Sequence, residues 1–300
     1  MSKLSIEKYA AIDIGSNAIR LLIVTVFEKP GIEPKFKKTS LVRVPIRLGE
    51  DVFLHGKISK RNYLRMLDAM NAFKLLLKTH YIKKYRVCAT SAMRNAMNGI
   101  EVAGKILEQT DLKIEIIDGY DEAVLIASTD INSYIHNDEN YLYVDVGGGS
   151  TEFTIYSKGK VVDSRSFRLG TVRIINDLVD KSLWRNVEEW IKSKTKNYSE
   201  VTLLGSGGNI NTIYKNSGKK LGTPLSYYYL STYYKQIKSL SYEDRIFDLN
   251  MNPDRADVVI PATKIYLSAM KWAKAKNIYV PKIGLSDGII RSLHNGKVKN

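Results

Sequence analysis

Tyr141-Leu142-Tyr143-Val144-Asp145-Val146-Gly147-Gly148-Gly149-Ser150-Thr151-Glu152 is the stretch whose reading decides the fold. An apolar run ends at Asp145, passes through three consecutive glycines and resumes as alternating apolar residues. Three glycines weaken a hairpin through backbone entropy. They need a reason, and close approach of backbone N–H groups to a phosphate supplies one. Roughly 130 residues earlier the plan is the same: Tyr9-Ala10-Ala11-Ile12, then Asp13-Ile14-Gly15-Ser16-Asn17, then a second alternating run. A strand–Asp–glycine turn–strand unit used twice suggests two similar lobes facing one phosphate-containing ligand. The leading Asp of each unit is a residue type that holds a metal ion or orients a water. For the first turn alone, an ordinary hairpin is the competing reading, because Gly, Ser and Asn suit turns on conformational grounds. Neither turn has Walker A spacing. Strands rather than helices follow both, so a dinucleotide fold fits poorly.

The rest of the chain adds α/β elements around these two turns. Strands are expected at 39–44, 86–90, 113–117, 141–145, 152–157, 160–167, 201–204 and 278–280. Residues 60–80 have helical spacing, with Leu64, Leu67, Met70, Phe73 and Leu77 on one face. Further helices are expected at 98–109, 119–128, near 174–180 and 187–195, through most of 210–276, and from Asp287 onward. No low-complexity linker occurs, so the domain break reads as a hinge near residues 118–122. The lobes are then residues 1–118 and 119–300. The second carries a helical insertion, and a final helix at about 287–300 packs back on the first.

Three further segments carry chemistry. Gly205-Ser206-Gly207-Gly208-Asn209 is a glycine loop leading into a helix whose N-terminus suits anions, Gly207 and Gly208 above all. Ala89-Thr90-Ser91-Ala92-Met93-Arg94 places hydroxyls and an arginine just after a strand, where Arg94 can clamp phosphate oxygens. A helix N-cap with a surface arginine explains it equally well. Gly119-Tyr120-Asp121-Glu122-Ala123 supplies an acidic pair, of use either as a general base or simply to complement a helix dipole.

The formal net charge of +15 favours polyanionic partners, with a solvated basic surface as the plain alternative. The single cysteine, Cys88, excludes an intrachain disulfide, and four histidines without ligand spacing argue against a histidine metal centre. No apolar stretch approaches the roughly 18 residues that span a bilayer. The first eight residues lack the apolar core of a signal peptide, so a cytoplasmic protein without membrane partners is expected. Tyr227-Tyr228-Tyr229 and Tyr233-Tyr234 interleave with basic residues, but no nucleic-acid motif accompanies them. Nucleic acid is not expected as a partner.

Taken in order, these motifs resemble the exopolyphosphatase/guanosine pentaphosphate phosphatase family of the sugar kinase–heat shock protein–actin superfamily. The resemblance also takes in Arg47-Leu48-Gly49-Glu50, Leu169-Gly170-Thr171-Val172-Arg173, Pro253-Asp254-Arg255-Ala256-Asp257 and Leu285-Ser286-Asp287-Gly288. It implies two ribonuclease-H-like α/β lobes with a cleft between them. It implies hydrolysis of a terminal phosphoanhydride, with Glu122 as general base on water. Asp145 and Glu152 are implied as catalytic residues that help bind Mg²⁺ or another divalent cation or position that water, with Asp13 as a further metal ligand. Arg94 is implied to stabilise the transferring phosphoryl group. Gly15, Ser16, Asn17, Gly147, Gly148, Gly149, Ser150, Gly207 and Gly208 would cradle phosphates. Asp121 stands where the family commonly has glutamate, and Asn209 where threonine is common. No His-Asp pair occurs, so the HD-hydrolase-like helical region of longer relatives is expected to be absent. Short-chain polyphosphate is therefore the implied substrate. Guanosine pentaphosphate hydrolysis and non-catalytic sensing of polyphosphate or alarmone remain as alternatives. Oligomeric state stays open, although a homodimer is the family's frequent assembly.

Overall fold

The structure is a computed structural model that describes residues 4–129 and 139–296. Two compact units emerge. One holds the described residues up to Thr129 together with those from Leu285 onward, and the other holds those between.

In the first unit, β1 (Ser5–Ile14), β2 (Ile19–Lys29) and β3 (Ile32–Val44) form an antiparallel meander. It is followed by α1 (Leu48–His55), α2 (Lys60–Thr79), β4 (Lys84–Ala89), α3 (Ser91–Asn95), α4 (Gly99–Thr110), β5 (Ile114–Ile116) and α5 (Gly119–Ala127). The sheet runs β3-β2-β1-β4-β5, with β4 parallel to β1 and β5 parallel to β4. β1 is buried continuously from Tyr9 to Ile14 because it is a central strand covered on both faces.

The second unit repeats this plan. β6 (Asn140–Val146), β7 (Thr151–Ser157) and β8 (Lys160–Phe167) form the meander. Then come α6 (Thr171–Ile175), α7 (Lys181–Thr195), β9 (Thr202–Ser206), α8 (Gly208–Asn216), β10 (Leu225–Ser226), α9 (Tyr227–Ser239), α10 (Tyr242–Phe247), α11 (Pro253–Ala256), α12 (Val259–Trp272) and β11 (Asn277–Tyr279). Read from β8, the order β8-β7-β6-β9-β11 matches that of the first sheet, and β10 adds one antiparallel edge strand. Each unit has its own apolar core. A three-strand meander followed by parallel strands is the ribonuclease-H-like order, so the duplicated α/β architecture read from the two glycine turns is present. The last described element is α13 (Leu285–His294), which belongs to the first unit and packs on β1, β2, β4 and α5.

Several local readings need correction. Leu64 is exposed, and the inward face of α2 is Met66, Ala69, Met70, Phe73 and Leu77. A run of i, i+3 steps drifts off a 3.6-residue period, which leaves Leu64 out of phase. Residues 176–180 are not helical, because α6 stops at Ile175 and Asp177 takes a left-handed conformation. The stretch 210–276 contains β10, and α1 had no counterpart in the sequence reading. Gly205 and Ser206 are the end of β9 rather than loop. The sequence reading broke the lobes after residue 118, whereas α5 packs with the first unit. The final helix ends at His294, and positions 297–300 lie outside the described residues.

Candidate active site

The first unit gathers its polar groups at the carboxyl ends of β1, β4 and β5. Register sets this arrangement: Asp13 lies beside Cys88, and Ala89 beside both Ile14 and Ile116. Such strand ends are where open α/β sheets bind ligands. Asp13 is buried, and Arg20, opposite it on β2, donates Nη1 to its Oδ2 at 2.8 Å. Burial pushes the Asp13 carboxyl up, and Arg20 offsets part of that. The turn closes with Gly15 N–H donating to Ala18 O at 3.1 Å. The start of α1 clasps its outer carbonyls: Gly49 N–H donates to Ser16 O at 2.7 Å and Arg47 N–H to Asn17 O at 3.1 Å. The approach is tight enough that a Cβ on Gly49 would lie 3.0 Å from the Ser16 Cβ.

The buried pair Thr90 and Ser91 follows β4 and opens α3, which presents Arg94. Arg94 donates Nη1 to Ile117 O at 2.5 Å and stands 3.9 Å from Glu122 Oε2. Glu122 comes from the first turn of α5 and is only 8% exposed. Asp118 caps that helix by accepting from Asp121 N–H at 2.8 Å, while the Asp121 side chain faces solvent. The two acidic residues are thus unequal: Asp121 belongs to the helix end, and Glu122 is held inward beside an arginine.

The second unit builds a parallel arrangement. Asp145 and Glu152 are directly opposed across β6 and β7, which puts both carboxylates on one face of the sheet. Glu152 is buried, and its Oε1 accepts from Ser150 Oγ at 2.7 Å and Ser166 Oγ at 2.8 Å. The triple-glycine turn closes with Gly147 N–H donating to Ser150 O at 2.9 Å. Here α6 does what α1 does in the first unit. Thr171 N–H donates to Gly147 O at 3.1 Å and Val172 N–H to Gly148 O at 2.9 Å. Arg173 adds Nε to Gly149 O at 2.9 Å, and burial holds its guanidinium below its ordinary value.

At the end of β9, Ser206 lies beside Asp145 in parallel register. Gly207 has φ 104°, and a Cβ there would meet Val146 O at 2.9 Å and Asp145 Oδ1 at 3.2 Å. A Cβ on Gly208 would lie 1.9 Å from Arg255 Nη2. Arg255 is buried and donates Nη1 to Asn209 Oδ1 at 3.3 Å. Gly207 is therefore required by backbone conformation and by contact, and Gly208 leaves the room that the Arg255 guanidinium occupies. A buried guanidinium against the positive end of α8 adds to the attraction for an anion.

The structure thus groups Asp13, Gly15, Ser16, Asn17, Arg94 and Glu122 in one unit, and Asp145, Gly147 to Ser150, Glu152, Gly207 and Gly208 in the other. Sequence reasoning gave no role to Arg255 or to Tyr266, which is fully buried and donates its hydroxyl to Ser206 O. Arg255 was legible only as part of Pro253–Asp257, 46 residues from Asn209. In the tyrosine cluster Tyr233 is buried and stacks on Tyr229, whereas Tyr227 and Tyr228 are exposed.

Among the described residues no group of three or more His, Cys, Asp or Glu is placed to hold a metal ion. A closed protein cage is therefore not formed by these residues. Mg²⁺, however, keeps several waters and takes one or two carboxylates plus substrate phosphates. The Asp145–Glu152 pair fits that mode. Asp13 lies in the other unit with one oxygen committed to Arg20.

Comparison with known proteins agrees with the topology. The chain superposes on a crystal structure of an exopolyphosphatase from Cytophaga hutchinsonii with a TM-score of 0.84, over 98% of this chain and 99% of that one, at 23% identity. This places it in the class with two ribonuclease-H-like lobes and an actin-like fold. Residues 33–296 match the Ppx/GppA phosphatase family, and the chain belongs to that family. It is 31% identical over 230 residues to the bifunctional 3-dehydroquinate synthase/phosphatase of Fusobacterium nucleatum, covering 69% of this chain and 34% of the relative. It is 30% identical over 181 residues to exopolyphosphatase 2 of Mycobacterium tuberculosis, covering 57% of this chain and 54% of the relative. The chain thus spans between a third and just over half the length of these two relatives.

Proposed function

We propose that this protein hydrolyses the terminal phosphoanhydride of inorganic polyphosphate, short chains in particular, and releases orthophosphate. The observation that carries the reading is Glu122, a buried carboxylate 3.9 Å from Arg94 at the carboxyl edge of the first sheet. Glu122 takes a proton from a water as its oxygen bonds to the terminal phosphorus. The bond from that phosphorus to the bridging oxygen breaks, orthophosphate leaves, and the chain is one phosphate shorter. Arg94 stabilises charge on the transferring group. The N–H groups of Ser16 and Asn17, Gly148 to Ser150, and Gly207 and Gly208 would bind phosphate oxygens, in turns that Gly15 and Gly147 close through their own N–H groups. This is positioning and electrostatics, the usual content of phosphoryl transfer. Asp145 and Glu152 would hold Mg²⁺, which when bound neutralises phosphate charge. The charge of +15 suits a polyanionic substrate. A cytoplasmic setting belongs to the same reading. Among the described residues no helix is long and apolar enough to cross a membrane.

The test is orthophosphate release from short polyphosphate, long polyphosphate and guanosine pentaphosphate with Mg²⁺, for the native chain and Glu122→Gln. Release from short polyphosphate that needs Glu122 is the expected result. Faster release from guanosine pentaphosphate would move the substrate. Tight binding without release from any of the three would make the protein a sensor.

A further inference from the structure

Gly288 sits in the middle of α13, where glycine costs about 1 kcal/mol relative to alanine. The contact beneath it gives the reason. A Cβ on Gly288 would lie 2.0 Å from Leu125 O, 2.5 Å from Leu125 C and 3.2 Å from Ile126 N. These are backbone atoms of α5, about one helical turn beyond Glu122. Ser128 Oγ bridges the two helices at the same point, donating to Leu125 O at 2.7 Å and lying 3.4 Å from Gly288 O.

The two helices are not equally anchored. α13 is pinned to the sheet along its whole length. Asp287 pairs with Lys38 at 2.7 Å, Arg291 lies 3.8 Å over the Phe36 ring, and His294 Nε2 is 2.7 Å from Glu28 Oε1. The His294 ring also packs edge-on against Phe36 and Tyr9. α5 is a nine-residue helix whose principal packing partner is α13 itself. Anything inserted between them displaces α5.

We propose that Gly288 is a positioning residue for the reaction: α13 is a fixed platform, and the absence of a side chain at 288 sets the depth of α5 and hence of the Glu122 carboxylate. The proposal rests on the reading of Glu122 as general base, and the test separates the two. Gly288→Ala is compared with Gly104→Ala, a helical glycine in α4 with nothing within 4 Å of its added Cβ. Both substitutions favour helix by propensity, so propensity alone predicts equal, mildly stabilising effects.

With short polyphosphate and Mg²⁺, Gly288→Ala is expected to lower kcat by about 10- to 100-fold, the effect of an ångström-scale misplacement, with KM little changed. Gly104→Ala leaves kcat unchanged. In a Glu122→Gln background, Gly288→Ala should cost nothing further, because the base it positions is gone. Independently of turnover, hydrogen exchange should speed up at the amides of Ala123–Ser128 in Gly288→Ala and not in Gly104→Ala. If Gly288→Ala does not fold, Ser128→Ala, which removes the bridging hydroxyl, is expected to shift kcat and α5 exchange in the same direction by less. Unchanged α5 exchange, or an equal loss of kcat in the Glu122→Gln background, would overturn the proposal. Full turnover by Glu122→Gln alone would instead overturn the assignment of the base, leaving the α5 exchange result to decide the platform.

Discussion

Gly170→Ala tests the triple-glycine cradle by a single methyl group. Gly170 has φ −123° and ψ 157°, extended backbone that alanine adopts freely, so the substitution carries no conformational penalty. Space alone is at issue. The added Cβ would lie 2.3 Å from Gly148 O, 2.4 Å from Gly149 C and 2.5 Å from Gly148 C. Ordinary contact begins at 3.4 Å, a shortfall of 1.1 Å against backbone that has no side-chain rotamer to adjust. Either the turn or α6 must retreat by about 1 Å. That stretches the bonds from Thr171 N–H to Gly147 O and from Val172 N–H to Gly148 O, which now measure 3.1 and 2.9 Å. Overpacking of this kind costs about 1–3 kcal/mol, or about 2–12 °C in the melting midpoint of a domain of about 150 residues such as the second unit. A displacement of about 1 Å in groups that position the transferring phosphate costs about 100-fold in turnover. The assay is orthophosphate release beside a thermal melt. Turnover is expected to fall far more than stability accounts for. Native turnover and melting in Gly170→Ala would refute the argument that this contact sets the turn.

Other expectations are more direct. Glu122→Gln should lower kcat by about 10²- to 10⁴-fold, the usual contribution of a general base, with the melting midpoint nearly unchanged; a loss under threefold would remove Glu122 from the mechanism. Chelation of divalent cations should stop orthophosphate release and restored Mg²⁺ should recover it, and release that persists in excess chelator would dispose of the metal. Cys88 is buried and its thiol is pushed up to about 12 by burial, so iodoacetamide at pH 8 should leave it unlabelled until denaturant is added. Rapid labelling of the native protein would contradict that packing. Asp180 caps α7 through Leu183 N–H, and that bond, with a second from Ser182, holds its carboxyl below the ordinary 3.8. A depressed carboxyl adds stability above the unfolded pKa and loses it as pH falls through the folded one. Asp180→Ala should therefore lower the melting midpoint at pH 7, with the difference shrinking as pH drops below the usual carboxylate range. A difference that grows on acidification would have the wrong sign.

How much of this was legible beforehand depends on the range of the force concerned. Asp13 and Asp145 each end an apolar run, and glycines follow both, because a hairpin turn and its flanking strands are specified within about a dozen residues. The duplicated meander and the start of a helix at Gly119 are of that local kind; the burial of Glu122 is not. The roles of Arg94 and Glu122 came from resemblance to a family, since an acidic pair in a first helical turn is equally a response to the helix dipole. Leu64 failed because amphipathic spacing fixes a stripe only to within the drift between a three-residue step and a 3.6-residue turn.

The amino-acid sequence by itself determined two strand–turn–strand units and the residues at their tips, since these follow from backbone permissiveness and hydrophobic period. Tertiary structure alone decided why particular glycines are glycine. Gly49 answers to Ser16, Gly170 to Gly148, Gly208 to Arg255 and Gly288 to Leu125, partners between 22 and 163 residues away. A missing side chain leaves no periodic signal; its meaning lies in the atoms that occupy the space, and only packing brings those atoms there.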